Sequence, residues 1–341
     1  MLALGEVNLA KLCAVFSGAA KPDSRYRRLR RFIGEVSLCQ RALACFVVGL
    51  MGIDSAPWTL SMDRTNWKIG KVHVNILYLC ICHGKMGIPL FWCFLEDKKQ
   101  GNSDHLDRID LLELFIETFG KERIAVLTMD REFIGKAWLE DFLQARDIAY
   151  VVRLKEAGYM ANGRGRKVKM EQLFHPLQPG ETVSLGARKT GKAKEACTHY
   201  ITALRSHKGE LVVLAHSADI ADAGEQYRKR WDIAVMFRAF KSGGFNLEDT
   251  RITHPDKLHT LTQAMAIAFC IAYRQGEIEH NQKPPTLKKH GYPPKSRFRT
   301  GLDLLRNLYT NAKRKWRKII KKLELSVSCQ IIKQTELKNV R

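Results

Sequence analysis

Residues 57–95 read PWTLSMDRTNWKIGKVHVNILYLCICHGKMGIPLFWCFL. Trp58, Leu60 and Met62 alternate with Thr59, Ser61 and Asp63, the period of two that a pleated strand imposes. A polar turn over Asn66, Lys68, Gly70 and Lys71 precedes a long β run from Val72 to Cys82. A Gly84/Gly87 turn then leads into a third run, Ile88 to Leu95. Three strands joined by short turns predict an antiparallel meander. Further along, Ile109, Leu112, Phe115, Ile116 and Phe119 recur at helical spacing, which predicts a helix over 106–119. Ile124 to Met129 is a short apolar strand ending at Asp130. A helix over 135–146 and a strand over 148–154 follow. The order β-β-β-α-β-α-β predicts the α/β class: a mixed sheet with helices on its faces.

The rest of the chain is arranged around this core. Residues 1–50 read as helices: Leu9, Leu12, Val15 and Phe16 on the first, a break at Gly18 and at Lys21 to Ser24, then a helix carrying Arg25, Arg27, Arg28, Arg30 and Arg31. Helix, short turn and arginine-rich helix form a candidate nucleic-acid-binding module, and a basic helix packed on the core is the plainer reading. Residues 156–224 break the α/β rhythm, with short strands suggested at 181–185, 197–204 and 211–216, as in a β-rich insertion. One helix is predicted from Gly224 to Lys241, stopping at Ser242-Gly243-Gly244, and a strongly apolar one over 258–273.

Charge narrows the function. Fifty-seven Lys and Arg against thirty-five Asp and Glu leave a formal net charge of +22 over 341 residues, a field suited to a polyanion. The longest apolar run, Ala42 to Ile53, falls well short of the about 20 residues a membrane span needs, and the N-terminus lacks the pattern of a secretory leader. Nine cysteines, an odd count with no CxxC pair, read as reduced, cytosolic and structural. His73 and His83 have no metal-ligand spacing around them and read as structural or surface residues.

Two aspartates stand at strand ends: Asp63 in LSMDRTNW and Asp130 in LTMDREFIG. If the first and fourth strands are neighbours, the two carboxylates lie a few ångströms apart and repel unless a cation sits between them. Oxygen ligands alone suit Mg²⁺, with Mn²⁺ as substitute, and such ions support in-line phosphoryl transfer. Each Asp taken alone reads first as an ordinary strand-end or turn residue; the pair, with the strand order and the charge, favours the metal site. The stretch YRKRWDIAVMFRAFKSGG then places Tyr227, Arg230, Ala234 and Lys241 at intervals of three, four and seven. On one continuous helix these fall within roughly a 60° arc. Ile233, Phe237 and Phe240 form the adjacent apolar stripe. Trp67 and Trp231 read as core residues, with the holding of a displaced base as the alternative role.

These pieces, together with RIDLLELF over 108–115, resemble a DDE transposase of a bacterial insertion sequence, in the insertion-sequence-4 superfamily with the YREK motif. The resemblance runs from about residue 7 to 305. It implies an RNase H-like catalytic core interrupted by a β-rich insertion, with Asp63 and Asp130 as two catalytic, metal-binding acids. Tyr227, Arg230 and Lys241 match the motif's other members and are expected at the DNA. The family's glutamate falls at position 234, where this chain has Ala234. Asp232 and Glu225 lie elsewhere around a helix, and Glu132 reads as a partner for an arginine.

The expected layout is a DNA-binding module over 1–50, catalytic core over 55–155, β-rich insertion over 156–224, final core helices over 225–278 and a basic segment over 279–341. The expected activity is DNA transposition: binding double-stranded terminal inverted repeats and target DNA as a homodimer on DNA, with Mg²⁺-dependent cleavage and strand transfer impaired by Ala234. Members of the group free the element through a hairpin-ended intermediate. The expected location is the bacterial cytoplasm, at the nucleoid when bound to DNA, with no membrane partner. A non-catalytic DNA-binding regulator of transposition and an RNase H-like nuclease or resolvase are the alternatives. The stretch Lys313 to Lys322, five lysines and two arginines in ten residues, is expected to add sequence-independent phosphate contacts.

Overall fold

The computed structural model describes residues 1–16, 19–95, 103–191, 196–218, 220–289 and 291–311. The break expected at Gly18 and the basic stretch over 313–322 lie outside the described residues. In chain order the helices are α1 (Leu9–Ala14), α2 (Pro22–Glu35), α3 (Gln40–Met51), α4 (His105–Phe119), α5 (Lys136–Trp138), α6 (Met170–Leu173), α7 (Ala223–Arg228), α8 (Trp231–Phe240), α9 (Pro255–Gln282) and α10 (Arg297–Asn311). The strands are β1 (Trp58–Ile69), β2 (Val72–His83), β3 (Met86–Leu95), β4 (Ile124–Met129), β5 (Tyr150–Leu154), β6 (Tyr159–Ala161), β7 (Lys167–Lys169), β8 (Thr182–Thr190), β9 (Cys197–Arg205) and β10 (Leu211–His216). They form one mixed sheet in the order β3-β2-β1-β4-β5-β10-β9-β8-β6-β7. The α/β expectation holds: β1/β4 and β4/β5 are parallel, while β2/β3, β5/β10 and β10/β9/β8 are antiparallel.

The chain divides into two compact units. The first contains Met1–Asp54, Asn66–Val74 and the chain from Met236 onward. Here Pro22 opens α2 at a position where its missing N–H costs nothing. Gln263 on α9 ties down the α2–α3 link: its Oε1 accepts from Leu38 N at 3.3 Å and its Nε2 donates to Leu38 O at 2.7 Å. Trp67 is fully buried, edge-on to Phe237, and so belongs to the core as expected. The turn foreseen over Asn66 to Lys71 is shorter than expected. Asn66, Trp67, Lys68 and Ile69 continue β1, and only Gly70 and Lys71 turn, with Gly70 at φ +62°. Beyond α9, the expected basic segment carries a helix that its sequence did not announce, α10.

The second unit contains Ser55–Thr65 and Asn75–Val235. Strand β2 is apolar without alternation because both its faces are buried. Asp104 caps α4 through a reciprocal capping box with Asp107. Residues 136–146 are helical as expected, but the winding changes from α to π over Leu139–Leu143 and then to a 3₁₀ turn. Among the described residues no single helix is long and apolar enough to cross a membrane, and the described cysteines are free thiols.

The predicted single helix over 224–241 is two helices. Lys229 and Arg230 form a tight turn between α7 and α8, with i to i−3 bonds from Arg230, Asp232 and Ile233 to Tyr227, Lys229 and Arg230. The cause is tertiary. Cys82 Sγ, on β2, donates to the Lys229 carbonyl at 3.3 Å, and the Lys229 ammonium reaches Thr59 Oγ1 on β1 at 3.3 Å. Strand β3 passes directly beneath the start of α8. A Cβ at Gly87 would stand 2.9 Å from Ile233 Cα and 3.1 Å from Asp232 O. Both neighbours are backbone and cannot rotate aside. Gly87→Ala is therefore expected to lower stability by about 1–3 kcal/mol, read as a fall in the denaturant midpoint. An unchanged midpoint would mean that α8 is not held against the strand there.

Candidate functional site

The β1/β4 register builds the site. Leu60 pairs with Leu127, Ser61 with Thr128 and Met62 with Met129, in parallel. Asp63 and Asp130 are the next residues on each strand. Neighbouring strands lie about 4.8 Å apart, and residues at one level of a parallel pair point to the same face, so the two carboxylates emerge side by side. Asp63 is not the last residue of its strand, as expected from sequence. It is the first residue beyond the pairing with β4.

Helix α7 brings the next two groups. The Tyr227 ring packs on Val126, Val151 and Leu214, one from each of β4, β5 and β10. From there its hydroxyl donates to Asp130 Oδ1 at 3.1 Å. The turn between α7 and α8 aims Arg230 at both acids: Nη1 donates to Asp63 Oδ2 at 3.1 Å and lies 4.0 Å from Asp130 Oδ2. Its guanidinium carbon stands 5.5 Å from the Tyr227 ring centre and 4.8 Å from that of Trp231. Arg230 is buried, and Trp231 is exposed rather than in the core.

Arg64 closes the other side. Its backbone N–H donates to Asp63 Oδ1 at 2.8 Å. Its guanidinium grips Glu132 with two bonds, 3.3 and 3.1 Å, and gives a third to Asn75 Oδ1 at 3.2 Å. Glu132 reaches Arg64 because the chain turns at once after β4, with Phe133 N bonded to Asp130 O. Arg108 of α4 fixes that turn through the Glu132 carbonyl at 3.3 Å. Glu132 is thus the partner of an arginine, as its sequence context suggested. Arg64 and Asn75 were not foreseen. The available signal was the tripeptide Met-Asp-Arg, present at both 62–64 and 129–131.

Burial pushes the Asp63 carboxyl up to about 6, against the opposing pull of Arg230 and of the Arg64 N–H. Glu132 and Asp130 push in the same direction as burial. Burial likewise raises the Tyr227 hydroxyl to about 12, so it is a donor at neutral pH. Asp232, also raised to about 6 by burial, faces Lys229, Lys85 and His83.

Asp63, Asp130, Tyr227 and Arg230 therefore meet at one place. Ala234 follows one turn after Arg230 on α8. Lys241 belongs to the other unit, where its ammonium lies 3.4 Å from the Asn66 carbonyl. In that unit, Arg27, Arg30 and Arg31 of α2 and Lys257 of α9 line an open basic groove.

The donor set does not fit a divalent cation as it stands. Asp63 Oδ1, Asp63 Oδ2 and Asp130 Oδ1 each accept a hydrogen bond, and Asp130 Oδ2 faces a guanidinium. Among the described residues no group of three or more His, Cys, Asp or Glu side chains could hold a metal ion.

A family model described as a transposase DDE domain matches residues 53–271, just under two thirds of the chain. No curated protein matches the sequence. Among solved structures, endonuclease V from Bacillus subtilis is similar at 13% identity, over 67% of this chain and 97% of that one. Its TM-score of 0.27 carries no argument about fold or function.

Proposed function

The chain belongs to the DDE transposase family, and from that premise we propose that it binds the terminal inverted repeats of a bacterial insertion sequence while its own strand cleavage and transfer are impaired. In this reading Asp63 and Asp130 are the two remaining acids of the insertion-sequence-4 type site, Ala234 stands at the motif glutamate, and Tyr227, Arg230 and Lys241 serve the DNA. The family generally uses a divalent metal, and the impairment follows from a donor set that is one carboxylate short. The working form is a dimer on DNA in the bacterial cytoplasm.

The observation that supports this reading is the meeting of Asp63 and Asp130 at one edge of the β1/β4 pair under Tyr227 and Arg230. A second reading, a DNA-binding regulator that performs no chemistry, is favoured by Ala234 together with the engagement of Asp63 by Arg230. Both require DNA binding; only a cleavage assay parts them.

The test is binding of duplex DNA that carries the short inverted repeats flanking the gene, against a shuffled duplex, without divalent metal. The repeat duplex is expected to bind about 10³-fold tighter or better. Equal binding of the two duplexes would remove the transposase-end reading. Affinity should also fall steeply with salt. Replacing Arg27, Arg30 and Arg31 of the basic groove with Gln should lower the slope of log K against log salt by about 3. An unchanged slope would exclude α2 as a phosphate-binding helix.

A further inference from the structure

We propose that Arg230 is the resident counter-cation of the acid pair in this chain, so that a divalent ion reaches Asp63 and Asp130 only in competition with the guanidinium. The inference rests on the reading of these two acids as the family's catalytic pair.

One nitrogen, Nη1, lies within 3.1 Å of Asp63 Oδ2 and 4.0 Å of Asp130 Oδ2. That is where an ion shared by both carboxylates would have to stand. The guanidinium is held there from several directions. Its side chain is 8% exposed, with the rings of Tyr227 and Trp231 beside it. Desolvation strengthens its pull on the carboxylates, because a buried pair is screened little by water or salt.

The neighbouring charges are already assigned. Glu132 is taken by Arg64, Glu225 by Arg228, and Asp232 faces Lys229, Lys85 and His83. Arg230 therefore has no competing carboxylate on its own helices. Position 234, four residues on and in the first turn of α8, is where one would arise, and that residue is alanine. The loss of one acid thus does more than subtract a ligand: it leaves the arginine with the acid pair as its partner. A divalent ion bound 2.0–2.1 Å from the same oxygens, about the distance magnesium requires, would stand against a like charge a few ångströms away.

Manganese binding to the full-length, DNA-free protein tests this, with free Mn²⁺ read by electron paramagnetic resonance. The wild type is expected to bind weakly. Arg230→Gln should bind at least about tenfold tighter, and adding Asp63→Asn to it should return binding to the wild-type level. Arg230→Lys keeps the charge and should stay weak, which guards against a gain caused by loosened structure; circular dichroism checks that each variant is folded. Equal Mn²⁺ affinity in wild type and Arg230→Gln would overturn the proposal. So would a tight wild-type site abolished by Asp63→Asn. Preferential repeat binding without the Arg230→Gln gain sinks only this inference; the gain without repeat preference sinks only the transposase-end reading.

Discussion

Ala234→Glu is expected to raise cleavage of inverted-repeat DNA by about 10²–10³-fold over the wild type in the presence of Mg²⁺ or Mn²⁺. The size follows from what one well-placed charged group contributes to a phosphoryl or acyl transition state, about 3–4 kcal/mol. Two effects act together. On the proposed reading of position 234 as the motif glutamate, a carboxylate there supplies the third acid of the site. It also offers Arg230 a carboxylate four residues on, in the first turn of α8, which frees Asp63 Oδ2 from the 3.1 Å hydrogen bond that now occupies it. Single-turnover cleavage of an end-labelled duplex gives the rate. In the Ala234→Glu background, Asp63→Asn and Asp130→Asn should each return it to the wild-type value. If Ala234→Glu binds the repeats but cuts no faster, the assignment of position 234 to the motif glutamate fails, and the regulator reading gains.

The sequence revealed the site's acids more readily than their surroundings, for a physical reason. Periodicity in LSMDRTNW and IAVLTMD is local, and the order of elements allows the first and fourth strands to be neighbours, so the meeting of Asp63 and Asp130 was one condition away from the sequence, and the β1/β4 pairing meets it. The break between α7 and α8 did not. Tyr227, Arg230 and Ala234 have the spacing of one continuous helix, and only a thiol on β2 and a hydroxyl on β1, each more than 140 residues away, draw Lys229 out of it. The partner of Arg230 was hidden for the same reason. The resemblance places this side chain at the DNA, whereas in the folded chain it lies against Asp63, 167 residues away. The continuation of β1 through Asn66 to Ile69 was masked because Asn and Lys are turn formers by propensity, and burial of Trp67 and Ile69 overrides that preference.

The second large effect concerns acid stability and centres on the β-rich part of the sheet. His199 on β9 is 2% exposed, and burial, helped by His216, holds its imidazole down to about 4. Hydrogen bonding explains why it is neutral. Gln144 Nε2 donates to the Thr198 carbonyl at 2.8 Å, an atom that can only accept, so the amide orientation is fixed. The same nitrogen donates to the Tyr150 hydroxyl at 2.7 Å. The Tyr150 proton is then directed at His199 Nδ1, 2.6 Å away, which must be unprotonated to accept it. A proton added at Nδ1 would set two donors face to face in a buried place. The unfolded chain, whose histidine titrates near 6.5, binds that proton first, so stability rises with pH through this window. The contribution of His199 is fully present above about pH 6.5 and is lost as the pH falls to about 4, amounting to about 3 kcal/mol across the window. Denaturant unfolding of wild type and His199→Gln at pH 4.5, 5.5 and 7.5 isolates it, because the difference between the two proteins cancels the buried acids Asp63 and Asp232, whose raised values act in the opposite sense. The wild type should lose stability relative to the variant by about tenfold in the unfolding constant, or more, between pH 7.5 and 4.5. A difference that stays flat with pH would mean that His199 takes up its proton as readily in the folded sheet as in the unfolded chain, and the Gln144–Tyr150–His199 relay would have to accommodate a proton at Nδ1.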